Sequence, residues 1–248
     1  MEPRLEKVSL FLPCLADAFY PALGRAVIKI LRKAGLEVLY PAEQTCCGQW
    51  AVNQGRPDAA RPLARHFLRV FAGARAVVCP SASCVLTVRD YPALFPDPVW
   101  RRRAEETAAR VFELTDFLVN VIRRPDLGAR LPVRAAVHDS CHPLRGLGLK
   151  NEPRDLLSRV RGLELVELAE PETCCGFGGV FMAKYAALSR ALVEEKINQA
   201  LAAGVDLLVL TEPGCLLNVE SALKDRGDRL EALHLAQVLA RGIEAADA

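Results

Sequence analysis

Short apolar runs alternate with longer stretches of helical spacing along this chain, and the whole alternation occurs twice. Val8-Ser9-Leu10-Phe11-Leu12 reads as a strand ending at Pro13-Cys14. From Pro21 to Lys33 the apolar residues Leu23, Val27, Ile30 and Leu31 share one helical face, with Gly35 as the stop. Glu37-Val38-Leu39-Tyr40 predicts a second strand, Asp58 to Phe71 a helix, and Ala76-Val77-Val78 a third strand; helices over 101–122 close the unit. In the second half, Arg134-Ala135-Ala136-Val137-His138 predicts a strand and Pro153 to Val160 a short helix. Strands over Leu163–Leu168 and Val205–Leu210, a long helix over Lys184–Ala202 and a last helix over Leu230–Arg241 follow.

Strands alternating with helices point to parallel sheets covered on both faces. The expected fold is therefore α/β: two tandem homologous half-domains with parallel sheets, related by internal duplication. Arg123-Arg124-Pro125-Asp126-Leu127-Gly128 is the best linker, which puts the half-domains at 1–124 and 125–248.

Composition narrows the function class. The 248 residues are 51% hydrophobic and 25% charged with a net charge of +2, so charge gives no reason to expect nucleic acid or a membrane surface as partner. No apolar run approaches the roughly 18–20 residues of a transmembrane segment. The opening Met1-Glu2-Pro3-Arg4-Leu5-Glu6-Lys7 is too acidic and too soon strand-like for a secretory leader. The expected location is cytoplasmic, where thiols stay reduced.

That compartment decides how the nine cysteines are read. Eight of them form two copies of one pattern: Cys14, Cys46-Cys47-Gly48 and Cys84, then Cys141, Cys174-Cys175-Gly176 and Cys215. Equivalent thiols lie 127, 128, 128 and 131 positions apart, the mark of a duplicated unit. Each set falls just beyond predicted strand ends, where α/β sheets place their ligand crevice, so four sulfurs are expected to converge in each half. Vicinal cysteines are poor disulfide partners, which favours metal ligation. Ligands 30 to 40 residues apart, with a vicinal pair among them, suit the separate irons of a cluster better than one tetrahedral zinc ion. Zinc stays open as the occupant of one site. His138 and His142 flank Cys141 and are read as hydrogen-bonding neighbours of sulfur, and Cys79, with no counterpart in the second half, as a packing thiol. Lys150, Arg145 and Lys184 are candidates to offset cluster charge. Gly176-Phe177-Gly178-Gly179 lacks the spacing of a dinucleotide loop. No residue stands out as a catalytic base or nucleophile.

These motifs resemble the cysteine-rich CCG domain found in heterodisulfide reductases, in the iron–sulfur component of glycolate oxidase and in lactate-utilisation proteins, and are most similar to the last. The resemblance rests on Gln44-Thr45-Cys46-Cys47-Gly48-Gln49, Pro80-Ser81-Ala82-Ser83-Cys84, His138-Asp139-Ser140-Cys141-His142, Cys174-Cys175-Gly176-Phe177-Gly178-Gly179 and Glu212-Pro213-Gly214-Cys215. It implies an iron–sulfur electron-transfer component, with [4Fe-4S] centres on the eight cysteines, in a multi-subunit system that oxidises L-lactate or a related 2-hydroxy acid to pyruvate. A ferredoxin-like iron–sulfur protein and a third component are the implied partners. The fuller family pattern ends in Cys-x-x-Cys, whereas Ser81 and Glu212 hold the earlier position here, leaving four thiols per site. Two alternatives are a thiol–disulfide redox component like that of heterodisulfide reductase and a zinc-stabilised assembly module.

Overall fold

A computed structural model describes residues 5–247; Met1 to Arg4, on which part of the leader argument rests, lie outside them. The chain separates into two compact units between Arg123 and Arg124. The first holds strands β1 (Lys7–Leu10), β2 (Glu37–Leu39), β3 (Val77–Cys79) and β4 (Val111–Glu113); the second holds β5 (Arg130–Val137), β6 (Arg161–Val166), β7 (Leu207–Leu210) and β8 (Glu231–His234). Each set forms a four-stranded, all-parallel sheet, in the order β2-β1-β3-β4 and β6-β5-β7-β8. The same order in both halves gives the duplication its structural form.

Burial explains which segments become central strands. Every residue of β3 and β7 is buried, as expected for a strand covered on both faces, whereas the edge strands β2 and β6 are half-exposed. The helix Pro21–Lys33 starts with proline at its first turn and ends before Gly35, whose φ of 83° supplies the left-handed stop. Its Leu23, Val27, Ile30 and Leu31 are fully buried, each contributing on the order of 2 kcal/mol.

The strand order reverses at the first strand of each sheet: β1 lies between β2 and β3, and β5 between β6 and β7. Such a switch point opens a crevice at the carboxyl ends of the strands.

Two expectations need correction. Residues 101–122 are not wholly helical: the helix Pro98–Ala108 gives way to β4. Likewise the last helix is Leu235–Asp247, because Glu231–His234 pairs with β7 as β8. Both strands are three or four residues long and run into a helix without a turn signal, so parallel pairing overrides local periodicity.

Candidate metal centres

In the first unit the four predicted thiols meet at that crevice. Cys14 opens the helix Cys14–Phe19 directly after β1, and Cys84 lies in the first turns of the helix Ala82–Arg89 after β3. Cys46 and Cys47 arrive on the loop after β2. Cys14 Sγ is 3.6 Å from Cys46 Sγ, and Cys47 Sγ is 3.3 Å from Cys84 Sγ. Gly48 has a φ of 85°, which turns its N–H back onto Cys46 Sγ at 3.3 Å.

Distant side chains hold this loop in place. The Gln44 Oε1 accepts from Leu12 N–H at 2.7 Å, while its Nε2 donates to the carbonyls of Pro41 and Leu10. His66 Nε2 lies 2.6 Å from the Glu43 carbonyl, and the buried Tyr91 hydroxyl donates to the Cys47 carbonyl at 2.7 Å.

The second unit repeats the design with different side chains. Cys175 Sγ lies 2.7 Å from Cys215 Sγ, and Gly176, at φ 78°, directs its N–H to Cys174 Sγ at 3.3 Å. Asn218 donates to the Cys175 carbonyl at 2.8 Å, the role Tyr91 has in the first unit. Lys196, fully buried, takes the place of His66, donating to the carbonyls of Glu170 and Pro171 and to Gln199 Oε1. Cys141 is the outlying thiol, exposed and 3.6 Å from His142 Nδ1.

Crowding sets the proton affinities. Contact with Cys46 and burial push Cys14 well above an ordinary thiol, and contacts with Cys46 and Cys84 do the same to Cys47. Cys46 alone moves down, because Cys14 and Cys47 donate to it and Gly48 N–H adds a third bond. Cys84 is lowered by Cys47 but raised further by Cys79 and burial. In the second unit Cys174 rises through its contact with Cys175 and burial, and Cys141 through burial and then Cys174. Cys175 is lowered by Cys174, yet its contact with Cys215 and burial carry it upward overall. Several thiolates cannot coexist at such distances without a counter-charge. A bound cation supplies one and deprotonates coordinating thiols outright, so these donors fit a thiophilic metal or cluster.

Of the remaining sequence candidates, Cys79 is fully buried at the end of β3, with its Sγ 3.5 Å from the Ser81 carbonyl and close enough to Cys84 to raise that thiol. It therefore borders the first site. The field of Arg145 reaches Cys174, while Lys150 pairs with Glu172 at 2.9 Å. Phe177 packs its ring over Gly214, where a Cβ would come within 2.4 Å of it. The sequence reading missed Arg154, which grips Asp139 and Glu167 at 2.7–3.0 Å and ties the segment after β5 to the one after β6. It also missed His66, Tyr91, Lys196 and Asn218. A polar residue at matching positions of both repeats, such as His66 and Lys196, was the available signal.

The family model described as "Cysteine-rich domain" (CCG) matches the chain twice, over residues 8–89 and 135–220. The chain belongs to the CCG cysteine-rich domain family. Among curated CCG relatives, it is 43% identical over 245 residues to "Lactate utilization protein A" of Exiguobacterium sp., covering 98% of this chain and 100% of that one. The protein of that name from Shouchella clausii is 45% identical over 233 residues, covering 94% and 98% of the two chains. A crystal structure of a hypothetical protein from Helicobacter pylori shares the fold, with a TM-score of 0.71 at 11% identity; the match covers 97% of this chain and 49% of that one.

Proposed function

We propose that this chain is the iron–sulfur electron carrier of a system that oxidises L-lactate, or a related 2-hydroxy acid, to pyruvate. The observation that carries the reading is the pair of thiol clusters at equivalent sheet switch points, in a chain whose relatives are lactate utilization proteins. Cys14, Cys46, Cys47 and Cys84 would hold one centre, and Cys141, Cys174, Cys175 and Cys215 the other. A [4Fe-4S] cluster bound at each site would accept and release one electron, so the two centres together match the two electrons given up when lactate becomes pyruvate.

The chain's own groups give that role its physical basis. Gly48 and Gly176 N–H groups hydrogen-bond Cys46 and Cys174, favouring thiolate charge at the ligand. Exposed Cys14, Cys141 and Cys174 leave one side of each cluster near the surface, where a partner can approach within electron-transfer range. The partners are a ferredoxin-like iron–sulfur protein and a third component that handles the hydroxy acid, and the system is cytoplasmic. No helix among the described residues is long and apolar enough to cross a membrane.

The test is anaerobic reconstitution followed by iron and sulfide analysis, then lactate-dependent bleaching of the cluster's visible absorption with both partner proteins present. Bleaching should require all three proteins and be lost in Cys175→Ser. A protein that takes up zinc alone, yet supports full coupled activity, would overturn the reading, since zinc has no redox chemistry.

A further inference from the structure

At one backbone position the two units differ in a way that bears on their ligand sets. The first residue past the central strand, whose N–H bonds the neighbouring strand, is Phe11 in one unit (to Val78 O, 2.9 Å) and His138 in the other (to Val209 O, 3.0 Å). Phe11 is wholly buried and meets the Phe67 and Phe71 rings edge-on, with centroids 4.9 and 5.8 Å away. His138 is only 2% exposed, and a nitrogen of its ring lies with the sulfurs of Cys175 and Cys215 in a group whose members are all within 4.8 Å of one another.

Neither ring nitrogen of His138 has a hydrogen-bond partner. The Pro171 carbonyl is near enough to influence the ring, but it lies outside bonding geometry and already accepts from Asp139 N–H and Lys196 Nζ. Two residues on, the buried Ser140 hydroxyl is likewise without a partner, while the first unit has Pro13 at that position. Buried polar atoms are nearly always satisfied, because they give up water on folding. Both His138 nitrogens and the Ser140 hydroxyl lie on the short segment that leads from β5 to Cys141.

We propose that His138 is a nitrogen ligand of the second unit's metal centre, beside Cys175 and Cys215, so that this centre has mixed sulfur–nitrogen coordination and the first is all-thiolate. The proposal rests on the metal-centre reading above. Imidazole suits the same metals as thiolate, and coordination through one nitrogen leaves the other N–H free to turn toward the Pro171 carbonyl. His138 then takes the position that the outlying, exposed Cys141 would otherwise fill, and neutral imidazole in place of that anionic thiolate lowers the negative charge around the metal. The reduction potential of the second centre then lies above that of the first, in the direction seen when histidine replaces cysteine at iron–sulfur clusters. The duplication would thus have produced two unlike centres.

The test uses full-length Cys14→Ser/Cys46→Ser protein labelled with ¹⁵N-histidine, so that only the second unit loads. After reconstitution with iron and sulfide and one-electron reduction, pulsed electron paramagnetic resonance should show a directly bonded nitrogen. The coupling should persist in His142→Phe and vanish in His138→Phe, which installs the residue the first unit tolerates. Should His138→Phe fail to fold, persistence in His142→Phe still assigns the ligand, because His66 lies in the other unit and His234 is bonded to the Thr211 carbonyl. A cluster without directly bonded nitrogen, or with only the weak coupling of a hydrogen-bonded ring, overturns the proposal. If no cluster assembles, the electron-carrier reading fails separately; cobalt(II) then replaces iron, and a bonded nitrogen there upholds the histidine ligand. Uptake of neither metal overturns both.

Discussion

Gly48 and Gly176 occupy equivalent left-handed positions, with φ of 85° and 78°, but their surroundings differ. A Cβ at Gly48 would find its nearest neighbours, Leu63 and Ala60, at 3.5–3.6 Å, which is ordinary contact. At Gly176 it would lie 2.4 Å from the Ser189 carbonyl oxygen and 3.2 Å from Asn218 Nδ2 and Leu192 Cβ. Gly48→Ala therefore carries only the left-handed strain, about 1–2 kcal/mol. Gly176→Ala adds an overlap with helix backbone, worth roughly another 1–3 kcal/mol. With a urea dependence of about 1–3 kcal/mol per molar, the second substitution should move its unfolding midpoint by on the order of 1 M or more. Both tryptophans, Trp50 and Trp100, belong to the first unit, so their emission follows that unit while far-UV circular dichroism follows both. In metal-free protein Gly48→Ala should shift the tryptophan transition modestly, and Gly176→Ala should cause the larger loss in the circular-dichroism transition. Equal losses would refute the reasoning, for the strain is shared and only the overlap differs.

Tyr91→Phe keeps the ring that meets Phe67 edge-on at 5.7 Å but removes the donor to the Cys47 carbonyl, so it should cost about 1–3 kcal/mol, read by tryptophan-monitored urea unfolding. Arg154→Met should destabilise the second unit by roughly 3–5 kcal/mol at neutral pH, because it strands the buried carboxylate of Asp139. The Glu167 carboxyl is held below its usual 4.5, first by its hydrogen bond from Arg154. Its share of the stability is present above that pH and fades as pH falls through the lowered value, so the melting gap between wild type and Arg154→Met should narrow below about pH 4.5.

The strands next to the thiols were legible because central parallel strands are continuous apolar runs, as in Val77–Cys79 and Leu207–Leu210. The cysteine spacing carried the duplication, since a loop can vary in length while its ligand positions stay in register with the sheet. Strands β4 and β8 were not legible, being too short for a period to develop. The anchors were hidden for another reason: Lys196 and His66 sit on helices, where a polar side chain ordinarily marks the solvent face. Only the tertiary fold shows them turned toward loop carbonyls. His138 was visible as a neighbour of Cys141, but its position beside Cys175 and Cys215 depends on strand pairing that local sequence does not encode.

The tethering of the vicinal-cysteine loops has a consequence for how metal binding and folding divide the work. A loop whose carbonyls are already claimed by Tyr91 and His66, or by Asn218 and Lys196, has surrendered its conformational freedom before any ion arrives. The ordering entropy is met by the packed sheet and helices, unlike in a zinc finger, where ligation itself drives the chain to fold. The binding free energy of a metal taken up in these units would thus be left for selecting that metal and fixing its electronic state, and its loss would leave a scaffold ready to take up another.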